Sequence, residues 1–343
     1  MPSGRNSADP YSTGPMGRGG SNPARLALSL LEDQAAELLL MGIAPSTQQV
    51  YSSAQQAYRQ FCSRLKLSPL PASQDQLLLF VTELAQTRAP STIRTYLAGI
   101  RHYHIISGYP NLLQETPKLS LVLKGIQRTK PLKSRPRLPI TPYILHSIST
   151  SLDTSAFDDC MLWAACLMGF YGFLRCAEFT TPCLSQFTSN KHLSASDVAV
   201  DNRENPTMLA VKIKSSKTDP FGEGVTIYLG KTDNVLCPVA AILEYLIRRG
   251  NHPGPLFVFQ DGRPLSRSML VEKVRQALRR AGIDASEYNG HSFRIGAATT
   301  AAAQGISVPL IKTLGRWRSE AFHTYIKIPS DTLASVSATL SQQ

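Results

Sequence analysis

Apolar residues recur at helical spacing through most of the first third of the chain. Val50, Ala54, Ala57, Phe61 and Leu65 mark one amphipathic run, and Leu77, Phe80, Val81 and Leu84 mark a second. Ser46 opens S-T-Q-Q and Ser73 opens S-Q-D-Q ahead of these runs, so each predicts a capping box. A third run extends from Ser91 to Ser107 and stops at Gly108. From Leu26 to about Gln127 the pattern predicts a bundle of four or five helices with short turns.

The pattern changes after Thr141 and Pro142, a capped helix start. Trp163 to Phe170 is apolar on every side, which predicts a buried helix ended by Gly172. Between residues 194 and 229, DVAVD, TMLAVKIK and GVTIYL alternate or are β-rich, and SSKTDPFGEG forms a turn between the last two. A helix opened by Pro238 spans Cys237 to Gly250, LFVF at Leu256–Phe259 predicts a short strand, and Ser266 to Ala281 predicts a helix carrying Lys273, Arg275, Arg279 and Arg280. Further on, Gly305 and Gly315 stop two runs, Ser307 and Pro309 start one, and Ser319 caps the next, giving helix, turn, helix, turn, helix. Beyond Pro329, DTLASVSATLSQQ predicts one more short amphipathic helix. The class is mainly α with a small antiparallel β-sheet, an α+β arrangement.

Length and composition divide this pattern. A chain of 343 residues suggests two domains, and 43% hydrophobic residues suffices for two cores. Residues 1–24 are rich in Gly, Pro and Ser and have little to bury, so they are expected to be disordered. RTKPLKSRPRLP, residues 128–139, contains three prolines and is expected not to be helical. The expected organisation is a 1–24 leader, a 25–127 helical domain, a 128–139 linker, a 140–330 domain and a 331–343 tail.

Charge narrows the partner. The formal net charge is +12, and Lys118 to Arg137 holds seven basic residues (Lys118, Lys124, Arg128, Lys130, Lys133, Arg135, Arg137) with no acid. Such a balance favours nucleic acid over a membrane. No apolar run approaches the ~20 residues a membrane span needs. Six cysteines without a CxxC pair read as reduced core thiols, as expected of a cytosolic protein, or a nuclear one if the source is eukaryotic. Gly230-Lys231-Thr232 lacks the upstream glycine of a P-loop, and His102 and His104 point to different sides of a helix, so neither marks a nucleotide or metal site.

The residues that carry chemistry lie in the second half. His291 and Arg294, three apart at the start of an Ala/Thr-rich helix, project from one face of its first turn, where anions are favoured. Arg175 closes the apolar Trp163 stretch, where a lone cation is costly, and Glu178 three residues on could be its partner. Cations beside a His suit a phosphate whose charge rises during reaction, and Tyr325 nearby could attack it. Arg94 and Arg101, seven apart, share a helix face that could lie on DNA.

HSFR, LGRW and the following Tyr resemble the C-terminal motif of the tyrosine recombinases, the phage-integrase, Xer and Cre class. GHSFRIGAAT with LGRW is most similar to the branch carried by DIRS-like and Crypton-like mobile elements. GFLRCAEF matches the family's GLR-x-x-E box, and the resemblance covers Leu26 to Ile328. It implies a SAM-like core-binding domain clamping DNA, a basic linker and a recombinase catalytic domain. Arg175 and Arg294 would hold the scissile phosphate, Glu178 would orient the site, and His291 would assist proton movement. A lysine of the β-hairpin would be the general acid; Lys217 is preferred, with Lys214 close enough to remain open. The family places a His or Trp nine residues before the Tyr, but here Arg316 is nine before and Trp317 eight, so either could fill that role. Arg128, Lys130, Lys133, Arg135 and Arg316 join Arg94 and Arg101 as expected DNA contacts.

The implied product is a 3′-phosphotyrosine bond that stores the energy of the broken strand, so no cofactor, ATP or metal is expected. The implied partner is double-stranded DNA, bound by a homotetramer on two sites, without membrane or small-molecule substrate. A DNA-binding protein that kept the fold without the chemistry, and a type IB topoisomerase, are the competing readings.

Overall fold

The computed structural model describes residues 23–111, 116–130, 137–219, 221–328, 333, 334 and 338. Residues 1–22, Lys133, Arg135 and most of the expected tail helix lie outside the described residues. The chain forms two compact units, Met1–Lys133 and Ser134–Gln343.

Among the described residues, the first unit holds five helices: α1 (Pro23–Met41), α2 (Pro45–Arg64), α3 (Gln74–Thr87), α4 (Pro90–Ile106) and α5 (Pro117–Thr129). Its core gathers Tyr58, Phe61, Leu77, Phe80, Ile93, Leu97 and Ile100 from the apolar stripes of α2, α3 and α4. Gly99 lets α2 and α4 approach closely, because a Cβ there would stand 2.9 Å from that of Ala54. Ser73 makes the expected capping box with Gln76. Ser46 caps nothing: α2 starts one residue earlier at Pro45, whose fixed φ suits the first helical position. Helix α5 runs two residues past the expected boundary, through Arg128 and Thr129, since the first proline of RTKPLKSRPRLP comes only at position 131. The leucines of helix α1, among them Leu26, Leu31 and Leu38, are exposed among the described residues.

The second unit contains α6 (Pro142–Thr150), α7 (Phe157–Tyr171), α8 (Cys176–Phe179), strands β1 (Val198–Val200), β2 (Met208–Ile213) and β3 (Val225–Gly230), then α9 (Pro238–Arg249), α10 (Arg267–Arg280), α11 (Ser292–Ala303) and α12 (Val308–Gly315). A 3-10 helix, Glu320–Tyr325, follows. Among the described residues, the strands form one antiparallel sheet in the order β1-β2-β3, with Val211 opposite Val198 on one side and Ile227 on the other. Helix α7 is the centre of the unit: Cys160 through Phe170 are all buried, and α9 and α11 pack on it. Gly296 lets α11 press against the backbone at Ile140, where a Cβ would lie 1.8 Å from the carbonyl oxygen.

Leu256–Phe259 is not the expected strand; only Val258 forms a bridge, to Pro264. The Tyr245 hydroxyl and the Arg249 guanidinium take the Leu256 carbonyl, and Tyr245 also bonds both backbone groups of Val258. Side chains therefore take the Leu256 carbonyl and both Val258 groups, and the other bonds of this segment go to scattered backbone groups of Leu193, Gly262, Arg263 and Leu265 rather than to one neighbouring strand. All six cysteines are free thiols, five of them buried and Cys183 half-buried. No described helix is long and apolar enough to cross a membrane.

Candidate active site

The chain leaves α7 through a tight corner. A Cβ at Gly172 would stand 2.8 Å from Ile227 and from the Met168 carbonyl, and Phe173 adopts φ +50°, a conformation uncommon for a bulky side chain. The corner delivers Arg175 to the N-terminus of α8 and turns Glu178 back onto it. One Glu178 oxygen accepts from Arg175 Nη1 at 2.8 Å; the other accepts from the Arg175 backbone N–H at 3.0 Å and from Arg316 Nη2 at 2.6 Å. The Glu178 side chain is 2% exposed, so its charge is held by two arginines away from water.

Arg316 is thus not a free DNA contact. It sits in the left-handed region at φ +55°, and its guanidinium also donates to the Gly172 carbonyl at 3.1 Å. Burial, followed by the Arg175 charge, lowers its pKa, while Glu178 raises it. The left-handed residue throws the next side chain, Trp317, back over α12: a Cβ on Gly315 would overlap the indole at 1.6 Å. Helix α12 ends at Gly315, as the glycine signal implies, and Arg316 takes the left-handed cap position.

Arg294 lies deeper than a phosphate-facing residue would. It is fully buried, and its two terminal nitrogens donate to the carbonyls of Phe173 and Gly315. Its guanidinium carbon lies 4.1 Å from the Trp317 ring centroid and 5.4 Å from that of Tyr325. Burial first, then the charges of Arg175 and Arg316, lower its pKa, and Glu178 and Tyr325 oppose that shift. The two aromatic rings, 5.2 Å apart, cover it.

His291 occupies the N-cap of α11, with its backbone N–H held by Asn289 Oδ1 at 2.9 Å. Its Nδ1 is buried without a hydrogen-bond partner among the described residues, and the imidazole centroid is 6.4 Å from that of Tyr325. Burial, then the charges of Arg137, Arg267, Arg294 and Arg175, depress its pKa and favour the neutral ring. Tyr325 ends the 3-10 helix that Ser319 caps. Thr299 of α11 fixes the backbone on both sides: its hydroxyl donates to the Tyr325 carbonyl at 3.2 Å and accepts from the Lys327 N–H at 3.0 Å.

The two hairpin lysines are separated by their partners. Lys214 is tied to Asp197 at 2.5 Å and to the Ser189 carbonyl at 2.7 Å. Lys217 is exposed on the turn and borders a cavity of about 470 Å³ together with Arg175, Arg267, His291, Trp317 and Tyr325. Five sequence candidates therefore meet in one cavity, while Arg294, Glu178 and Arg316 form its supports. The cavity combines several cations, a buried imidazole nitrogen and a phenol, a set suited to an anionic substrate undergoing displacement at phosphorus. Among the described residues, no group of three or more His, Cys, Asp or Glu could hold a metal ion.

Other candidates lie in the first unit. Arg94 and Arg101 are exposed on α4, and Arg94 donates to Gln127 at 3.3 Å. Arg128 is exposed, whereas Lys130 Nζ binds the carbonyls of Ala85 and Gln86 near the end of α3, so its ammonium is partly engaged within the fold. Sequence reasoning missed Arg267 and Thr299. Thr299 is one of several threonines and alanines in its helix, and only the Tyr325 backbone beside it sets it apart.

No protein-family model matches the chain. An integrase/recombinase XerD homolog of Selenomonas ruminantium is 24% identical over 299 residues, spanning 83% of this chain and 82% of that protein. Among solved structures, a lambda integrase dimer bound to a COC′ core site matches with TM-score 0.57 at 17% identity, over 86% of this chain and 93% of that one. XerH bound to difH in a pre-cleavage complex gives TM-score 0.56 at 14% identity, over 85% and 79%. The Tn1549 transposon integrase in complex with circular intermediate DNA gives 0.55 at 13% identity, over 86% and 99%. The chain thus shares the fold of these tyrosine recombinase catalytic domains, mostly helical with a small antiparallel sheet.

Proposed function

We propose that the protein is a DNA strand-exchange recombinase that cleaves and rejoins duplex DNA through a 3′-phosphotyrosine intermediate, and that it descends from a mobile element of the DIRS-like or Crypton-like kind. The observation that carries this reading is the convergence of Tyr325 with Arg175, Lys217, His291 and Trp317 on one cavity. The Tyr325 oxygen attacks the phosphorus and its proton passes toward the neutral His291. The bond to the 5′ oxygen breaks, and Lys217 supplies that oxygen with a proton. Arg175, oriented by Glu178, offsets the charge on the non-bridging oxygens, and the Trp317 indole N–H, which has no partner among the described residues, is the further donor. Arg294 contributes its charge from beneath the two rings until they move apart. Rejoining reverses these steps, with a 5′ hydroxyl as the nucleophile.

By this reading residues 25–127 are the core-binding unit, 128–139 the basic linker and 140–330 the catalytic unit. Residues 331–341 would dock on a neighbouring protomer in a tetramer on two DNA sites. Incubation with paired duplexes bearing randomised sites, with sequencing of the joined products, tests the proposal beside a supercoil-relaxation assay. Joined products support strand exchange. Relaxation without exchange would favour a topoisomerase, and binding without either would leave only a DNA-binding role.

A further inference from the structure

The cavity that holds Tyr325 is lined by two cations that the mechanism above does not use, Arg267 and Arg318. Arg267 is the first residue of α10, behind the Ser266 cap, and its side chain borders the cavity beside Arg175, Lys217 and His291. The packing makes room for it: a Cβ on Gly290 would stand 3.2 Å from Arg267 Nε and 2.8 Å from the Cys176 sulfur. The absence of a side chain at position 290 thus lets the guanidinium lie against the turn that carries His291. No ion pair of Arg267 occurs among the described residues, whereas Arg175 and Arg316 share Glu178 and Lys214 has Asp197. A guanidinium presents five donors suited to phosphate, and here none is committed to a carboxylate.

We infer that Arg267 is a positioning residue that binds a backbone phosphate of the DNA strand lying in this cavity. This inference rests on the proposed function and adds a phosphate ligand to that site. Arg267 holds the strand before and during reaction alike, so it acts on affinity more than on the rate at saturation. Its charge also faces His291, together with those of Arg137, Arg294 and Arg175, and it is one of the cations that keep that imidazole neutral.

The test compares full-length wild type, Arg267→Ala and Arg267→Lys on a 30-base-pair random-sequence duplex, with affinity measured across salt concentrations. Loss of one phosphate contact should reduce the slope of log affinity against log salt by about 0.9 in Arg267→Ala, and Arg267→Lys should restore it. In the DNA-free protein, the NMR titration of the His291 ring should move to higher pH in Arg267→Ala and return in Arg267→Lys. An unchanged salt slope in Arg267→Ala would overturn the inference, whether or not His291 shifts. Covalent trapping of wild type on nicked duplexes is run in parallel: adduct with an unchanged slope sinks the role of Arg267 alone, whereas absence of adduct sinks the recombinase reading.

Discussion

The Arg294 guanidinium lies 4.1 Å from the centroid of the Trp317 ring, which together with Tyr325 covers it. A fully buried cation is tolerable there because two backbone carbonyls bond it and two electron-rich ring faces lie against it. The nucleophile candidate and the deepest cation of the site are therefore parts of one packed stack.

Gly315 sits at the hinge of that stack. Gly315→Ala should destabilise the protein by about 1–3 kcal/mol, since the added methyl overlaps the indole and must displace it. Urea unfolding checks the magnitude. Trp317 emission in a Trp163→Phe background should change with it, and unchanged emission would mean that the indole had not moved.

Glu178 holds Arg175 and Arg316 together in a site shielded from solvent. Glu178→Gln leaves two partly buried guanidiniums without their counter-charge and should cost about 3–5 kcal/mol. Chemical denaturation measures it. A loss under about 1 kcal/mol would show that water replaces the carboxylate readily.

The sequence showed the chemistry of this site more readily than its layering. Ser73, Thr141, Ser266 and Ser319 cap the elements they precede, because a short polar side chain before an apolar run has few other uses. The sheet was legible from the alternation in TMLAVKIK, which places Leu209, Val211 and Ile213 inward. What could not be read was which cation faces outward. Arg175, Arg294 and Arg316 look alike in sequence, yet Phe173 at φ +50° and Arg316 at φ +55° turn the chain so that Arg294 is sealed, Arg316 is paired and Arg175 reaches the cavity. The Leu256–Phe259 strand failed for a related reason: Tyr245 and Arg249, distant in pattern, take the Leu256 carbonyl and both Val258 groups, and the remaining bonds go to separate backbone groups of Leu193, Gly262, Arg263 and Leu265.

His291 should make the protein acid-sensitive. Its folded pKa is below the unfolded value of ~6.5, so the unfolded chain binds more protons as pH falls. Its contribution is complete above about pH 6.5 and is lost as pH falls through the folded pKa. His291→Phe should therefore show a flatter decline in unfolding free energy from pH 7 to pH 5 than wild type. An equally steep decline in both would assign the acid sensitivity to other groups.

Lys217 and Lys214 should separate by substrate chemistry. Lys217→Ala should slow cleavage by roughly 10²–10⁴-fold, the usual contribution of a general acid, and a substrate with sulfur in place of the 5′ bridging oxygen should restore the rate because a thiolate leaves without a proton. Lys214→Ala, which breaks the pair with Asp197, should gain no such rescue. Rescue of Lys214→Ala in place of Lys217→Ala would reverse the assignment.

The role of Tyr325 as nucleophile is tested most directly by covalent trapping. An ordinary phenol has a pKa near ~10, so attack at neutral pH needs a proton acceptor, and the neutral His291 ring is close by. Wild-type protein incubated with randomised nicked suicide duplexes should form a denaturant-resistant adduct on a 3′ phosphate, and peptide mapping should place the DNA on Tyr325. Tyr325→Phe should bind the same duplexes with similar affinity and form none. Adduct persisting in Tyr325→Phe would contradict the assignment and move the nucleophile to another tyrosine, such as the buried Tyr288.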